Sequence, residues 1–170
     1  MMVFAVLGLL ISGVAFCYVL FMVVAVIRGA PYVPTDRKSV ETMIDLTKPK
    51  TGERGLDLGS GDGRLVVEMG KRGCQALGIE INPFLVLYSR YKIRKMGLSR
   101  VAKVVWGNMW KPDFGGFDIV TVYGFPSIMR DLEKKLLREL KPGSRVVSKD
   151  FKFSDWIPET KKDGIYLYIK

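Results

Sequence analysis

The first 27 residues carry no Asp, Glu, Lys or Arg, and residues 2–27 are almost wholly apolar. A membrane-spanning helix needs about 20 such residues. This run is too long for the apolar core of a secretory signal, no basic segment precedes it, and no A-x-A site follows. It predicts one uncleaved transmembrane helix over residues 1–28, followed by a polar domain over residues 29–170. Arg28, Arg37 and Lys38 follow the run directly. By the positive-inside tendency the protein is expected to be single-pass, with the polar domain on the cytoplasmic side.

Beyond Pro31 and Pro34, which suggest an extended hinge, helical and strand-like patterns alternate. Thr35 or Asp36 is placed to cap a helix running to Leu46, with Val40, Met43 and Ile44 on one face. Strands are predicted at 55–58, 75–81, 101–106, 117–123, 145–151 and 164–169. Helices are predicted at 64–71, 82–96 and 127–140. The helix at 82–96 has three concordant signals: Asn82 as cap, Pro83 at its first position and Gly97 just past its end. The helix at 127–140 has a buried stripe of Leu132, Leu136, Leu137 and Leu140. The run 117–123 is nearly continuous and apolar, as a strand covered on both faces should be. This alternation predicts an α/β fold, a Rossmann-like doubly wound, mainly parallel sheet. The chain ends soon after one late strand, so a seventh strand is expected to be missing or very short.

The chain has 170 residues and a formal net charge of +10, all of it beyond residue 27. That balance suits an anionic surface or simple solubility. With no histidine and two cysteines, Cys17 and Cys74, imidazole chemistry is excluded and no metal-ligand cluster or disulfide is expected.

The chemistry concentrates where the first strand meets its helix. Asp57, Gly59, Ser60, Gly61 and Gly63 form an acid-x-Gly-x-Gly-x-Gly turn. Gly59 and Gly61 permit a tight bend and close approach of backbone to ligand. The helix end beyond offers free N–H groups and a positive dipole end to a carboxylate, and Asp57 suits an ammonium. A dinucleotide fingerprint would need its third glycine, or an alanine, at position 64, where Arg64 stands. Glu80, at the end of the second strand, is placed to accept both hydroxyls of a ribose. After the third strand, Asn108 suits the edge of a base and Met109 its face. Tyr123, Phe125 and Pro126 follow the fourth strand, where ligands of open α/β sheets enter. With Trp110 they are the expected acceptor pocket, with no general base assigned. The segment lacks the Asn/Asp-Pro-Pro-Tyr/Phe wording associated with planar nitrogens, which disfavours nucleic acid as a partner.

The blocks Pro31–Val33, 57–64 and 80–83, Asn108–Lys111, 132–136 and 143–148, and the cluster Phe151, Phe153, Trp156 and Pro158 together resemble a known family. They are similar to the membrane-associated class I (seven-β-strand) lysine methyltransferases that modify the adenine nucleotide translocase and the c-type subunit of ATP synthase, in their prokaryotic form. The family usually has Asp where Asn108 stands. The resemblance implies S-adenosyl-L-methionine as cofactor, a protein-lysine N-methyltransferase activity, and a membrane or membrane-proximal protein substrate. It leaves three alternatives: a small-molecule or lipid methyltransferase, a non-catalytic cofactor-binding module, and an RNA methyltransferase using the basic face.

Overall fold

The computed structural model describes residues 2–28 and 33–170. The chain divides into two compact units, Met1–Pro31 and Tyr32–Lys170. The first contains one helix, α1 (Met2–Arg28). The transmembrane expectation is corrected here. Among the described residues no helix is long and apolar enough to cross a membrane. The expected single-pass localisation, its orientation and the N-terminal membrane anchor therefore do not stand. Pro31 and Tyr32, where the hinge was expected, lie outside the described residues.

The second unit alternates strands and helices: α2 (Arg37–Thr47), β1 (Arg54–Leu58), α3 (Arg64–Lys71), β2 (Gln75–Glu80), α4 (Pro83–Lys95), β3 (Ala102–Trp106), β4 (Ile119–Val122), α5 (Pro126–Glu139), β5 (Arg145–Lys149), β6 (Thr160–Lys162) and β7 (Ile165–Ile169). The strands form one seven-stranded sheet in the order β3-β2-β1-β4-β5-β7-β6. β1 to β5 pair in parallel, and β7 pairs antiparallel with both β5 and β6. A seventh strand is present but very short: the three residues of β6 pair with β7 as a hairpin through Asp163 (φ 50°) and Gly164 (φ 75°), an Asp-Gly turn with both residues left-handed, which suits tight hairpins.

The sheet is covered on both faces, which explains its apolar strands. One core joins Val40, Met43 and Ile44 of α2, Leu65, Val66 and Met69 of α3, and Val86 and Ile93 of α4 to the sheet. The other packs Leu132 and Leu136 of α5 with Phe114, Phe153 and Tyr168 over Leu56, Leu58 and Val120. The late aromatic segment is fixed rather than loose. Phe153 stacks on Trp156 at 5.7 Å and meets the edge of Tyr168 at 4.8 Å. The buried carboxylate of Glu133 accepts the backbone N–H groups of Ser154 and Asp155 at 2.9 and 3.0 Å. Helix starts follow local chemistry: Asp36 accepts from the Ser39 N–H at 2.9 Å, and Asn82 from those of Phe84 and Leu85 at 2.9 and 3.4 Å.

Candidate active site at the strand ends

The carboxyl ends of β1 and β2 lie side by side, with Leu58 opposite Ile79. The glycine turn leaves β1 and folds against β2, where the N–H groups of Gly59 and Ser60 both donate to the Ile79 carbonyl at 2.9 and 3.0 Å. Gly59, Gly61 and Gly63 take φ values of 73°, 54° and 76°, a region that side-chain-bearing residues rarely enter. The turn is also held from outside. Ser89 of α4 donates from its hydroxyl to the Gly61 carbonyl at 2.9 Å. Asp62 pairs with Arg64 at 2.8 Å and Lys92 at 2.9 Å. Burial would raise the Asp62 carboxyl, but hydrogen bonds from those two cations hold it below the usual carboxylate range. The Arg64 guanidinium also donates to the Thr35 carbonyl, tying the segment before α2 to this turn.

Glu80 is the hinge pin between turn and sheet. Its buried carboxylate accepts the Gly61 N–H on Oε2 at 2.8 Å and the Asn82 N–H on Oε1 at 2.7 Å. Each oxygen keeps a lone pair for a further donor. Asp57 is 4% exposed and accepts from the Thr121 hydroxyl at 2.6 Å. Burial pushes its carboxyl up to about 7; the charges of Glu80 and Asp62 add to this and the Thr121 bond opposes it.

Three features show room for a ligand. The Ser60 hydroxyl is buried and has no hydrogen-bond partner, which costs roughly 1–3 kcal/mol in a protein interior. A Cβ built on Gly59 would meet nothing within 4 Å, so the crest of the turn is open. α3 begins after Gly63, which gives it no side-chain cap, and its dipole end favours an anion. An uncapped helix end, an unpartnered hydroxyl and a carboxylate with spare acceptors suit a nucleoside that carries an amino-acid tail.

The segment after β3 joins the same rim, because the Gly107 N–H donates to the Glu80 carbonyl at 2.9 Å. Asn108 is exposed and turns its Oδ1 back to the Trp110 N–H at 2.9 Å. Met109 and Trp110 are half-buried against the core that holds Leu58, Ile79 and Met129. Tyr123 is half-buried, and burial, with a hydrogen bond to Asp150, raises its phenol. The Lys149 ammonium lies 4.3 Å from the centre of that ring, between Asp150 at 3.5 Å and Asp36 at 3.6 Å. Phe125 stacks on Phe151 at 6.3 Å, and the exposed Pro126 opens α5. Of the expected cofactor residues, Gly59, Ser60, Gly61, Gly63 and Glu80 are bonded into one unit, while the Asp57 carboxylate is bonded to Thr121 of β4. Of the acceptor residues, Tyr123 and Phe125 share the β4–β5 side, while Trp110 belongs to the packing after β3.

The sequence reading missed Thr121, Ser89, Lys92 and Gly78. Thr121 was visible as the polar position in an otherwise apolar strand, and Ser89 as a serine on the buried face of α4. Gly78 sits within β2, where a Cβ would come within 2.6 Å of the Ser60 Oγ and 2.8 Å of the Val66 Cγ2.

Residues 57–160 match the ANTKMT methyltransferase domain. The chain is 40% identical over 136 residues to the Mus musculus lysine N-methyltransferase of the ATP synthase c-type subunit, a match covering 79% of this chain and 55% of that protein. The chain therefore spans little more than half of that relative. It is 35% identical to the protein-lysine N-methyltransferase of Saccharolobus islandicus (strain REY15A), with 82% of this chain and 92% of that one covered. Among solved structures it is similar to an RNA methyltransferase from Salinibacter ruber in complex with S-adenosyl-L-homocysteine, at a TM-score of 0.76, 32% identity, and coverage of 81% and 93%.

Proposed function

Because the chain belongs to the ANTKMT methyltransferase domain family, we propose that it is an S-adenosyl-L-methionine-dependent methyltransferase that transfers methyl groups to lysine side chains of a protein. The observation that carries this reading is the glycine turn pinned to Glu80, with Ser60 unpartnered beneath it. The start of α3 would take the carboxylate of the methionine moiety, and Asp57 would meet its ammonium. Glu80 accepts the ribose hydroxyls on its spare lone pairs. Asn108 has committed only its oxygen to the Trp110 N–H, so its amide N–H groups remain for the adenine edge, with Met109 against the ring.

When bound, the cofactor supplies a sulfonium methyl that is already activated toward an amine. The chain's own work is then positioning and exclusion of water. Tyr123, Phe125 and Pro126 would line the acceptor side, with Trp110 in the packing after β3. An apolar wall there disfavours the charged form of an entering lysine, whose ordinary pKa is about 10.4. The lysine ammonium would first give one proton to water, and the neutral amine would then be held by these residues as the nucleophile for that methyl. The substrate is expected to be a protein close to a membrane, in keeping with the names of the relatives.

Incubating the purified chain with methyl-labelled cofactor and a cell extract tests this reading. Label recovered as methyl-lysine after protein hydrolysis supports it, and label confined to organic-soluble or RNA fractions contradicts it. A second reading, methylation of RNA, is favoured by the Salinibacter ruber likeness and the +10 charge. It is the outcome in which the RNA fraction carries the label.

A further inference from the structure

α4 is apolar on two opposite faces, and the domain uses only one of them. At about 100° per residue, Val86, Ser89 and Ile93 fall on one side, and all three are buried. Phe84, Leu87, Tyr88 and Tyr91, spaced i, i+3, i+4, i+7, fall on the opposite side and are 64%, 63%, 52% and 57% exposed. Four large side chains in one row on a solvated helix are more than scattered exposure explains. Arg94 edges this row and Lys95 lies within it, while Arg90 donates to the Val104 carbonyl and Lys92 pairs with Asp62; α4 holds no acidic residue. Lys92 and Lys95 place their ammonium groups 5.5 and 6.0 Å from the ring centres of Tyr88 and Tyr91.

We propose that this outer face of α4 docks on an anionic phospholipid surface, the helix lying flat along it. A row of Phe, Leu and Tyr edged by Lys and Arg is the composition of helices that sit at a lipid–water boundary. Tyrosine suits that depth, with an apolar ring and a polar tip. A second copy of the same face is disfavoured, since it would set these cations against one another. Nucleic acid is disfavoured too, since Leu87 has no π-face for a base. The contact is peripheral and needs no spanning segment.

The test uses the full chain with Cys17→Ser and Leu87→Cys, labelled at position 87 with an environment-sensitive dye. Cys74 is buried and its thiol is pushed up to about 11, so it does not compete for the label. The dye reports on α4 alone, whatever the rest of the chain does. On vesicles containing about one quarter phosphatidylglycerol the emission should shift to the blue and become shielded from an aqueous quencher; on phosphatidylcholine alone it should not. Each basic residue contributes roughly fivefold near such a surface, so Arg94→Gln with Lys95→Gln should weaken the partition about 25-fold. Unchanged S-adenosylhomocysteine binding by that variant shows that the fold is intact. The proposal is overturned if the dye stays water-exposed while the chain is vesicle-bound, or if an acidic peptide or an RNA oligonucleotide shifts it and vesicles do not.

Discussion

Gly78→Ala perturbs the site from behind without touching any ligand. The added methyl would lie 2.6 Å from the Ser60 Oγ, 2.7 Å from its Cβ and 2.8 Å from the Val66 Cγ2. A Ser60 rotamer change relieves only the first of these contacts. The Ser60 Cβ moves only with the turn backbone, and that backbone is bonded to Ile79 and Glu80. One methyl forced into such packing costs about 1–3 kcal/mol. At about 2–4 °C per kcal/mol for a domain of this size, the melting temperature should fall by roughly 2–12 °C. The same displacement should weaken S-adenosylhomocysteine binding, because the turn is the part that moves. Thermal unfolding and titration calorimetry measure the two effects separately. Adding Ser60→Gly removes two of the three contacts, so the double variant should regain most of the stability but not the affinity, having lost the Ser60 hydroxyl. If Gly78→Ala melts and binds as the parent does, the packing of turn against β2 is not as described.

Further outcomes follow from the same geometry. Ser60→Ala removes a buried hydroxyl with no partner, so the ligand-free protein should gain up to about 1 kcal/mol in urea unfolding while cofactor affinity falls. An equal loss of both would refute the idea that the hydroxyl waits for a ligand. Asp57, with its folded pKa near 7 and an unfolded value of about 3.9, contributes stability that is fully present below about pH 4. That contribution is lost as pH rises to 7, by at most about 4 kcal/mol. Cofactor binding should change in the opposite sense, strengthening as pH rises toward 7 and Asp57 ionises to meet the ammonium. Asp57→Asn should flatten both profiles, and a variant that keeps either slope places the titration elsewhere.

Most of the second unit's alternation could be read from local chemistry because its signals agree. Asn82, Pro83 and Gly97 bracket α4, and the structure finds the Asn82 cap and a left-handed Gly97. The turn at 57–63 was legible because three glycines at that spacing have few other uses. Gly59 to Gly63 and Glu80 lie within one bonded unit and Asn108 and Met109 outside it, but the bonds themselves were not visible, since Thr121 reaches Asp57 across 64 positions. β6 was missed because Thr160, Lys161 and Lys162 are all exposed and show no alternation; only the Asp163–Gly164 turn betrayed it. Burial of strands 1 to 5 on both faces made a parallel sheet evident, whereas the antiparallel edge depends on that turn. α5 begins at Pro126 rather than Ser127, since proline suits a first helical position where no N–H is required. The two-faced character of α4 blurred its period, and only exposure separates its used face from its free one.

The central claim is that the turn pinned by Glu80 holds S-adenosylmethionine. Titration calorimetry of the full chain with S-adenosylhomocysteine, beside Glu80→Gln, tests it most directly. The account expects saturable one-site binding that weakens at least tenfold in the variant, the scale of a charge-assisted bond of about 1.5–3 kcal/mol. No heat of binding with the parent chain, or equal affinity in the variant, would contradict it.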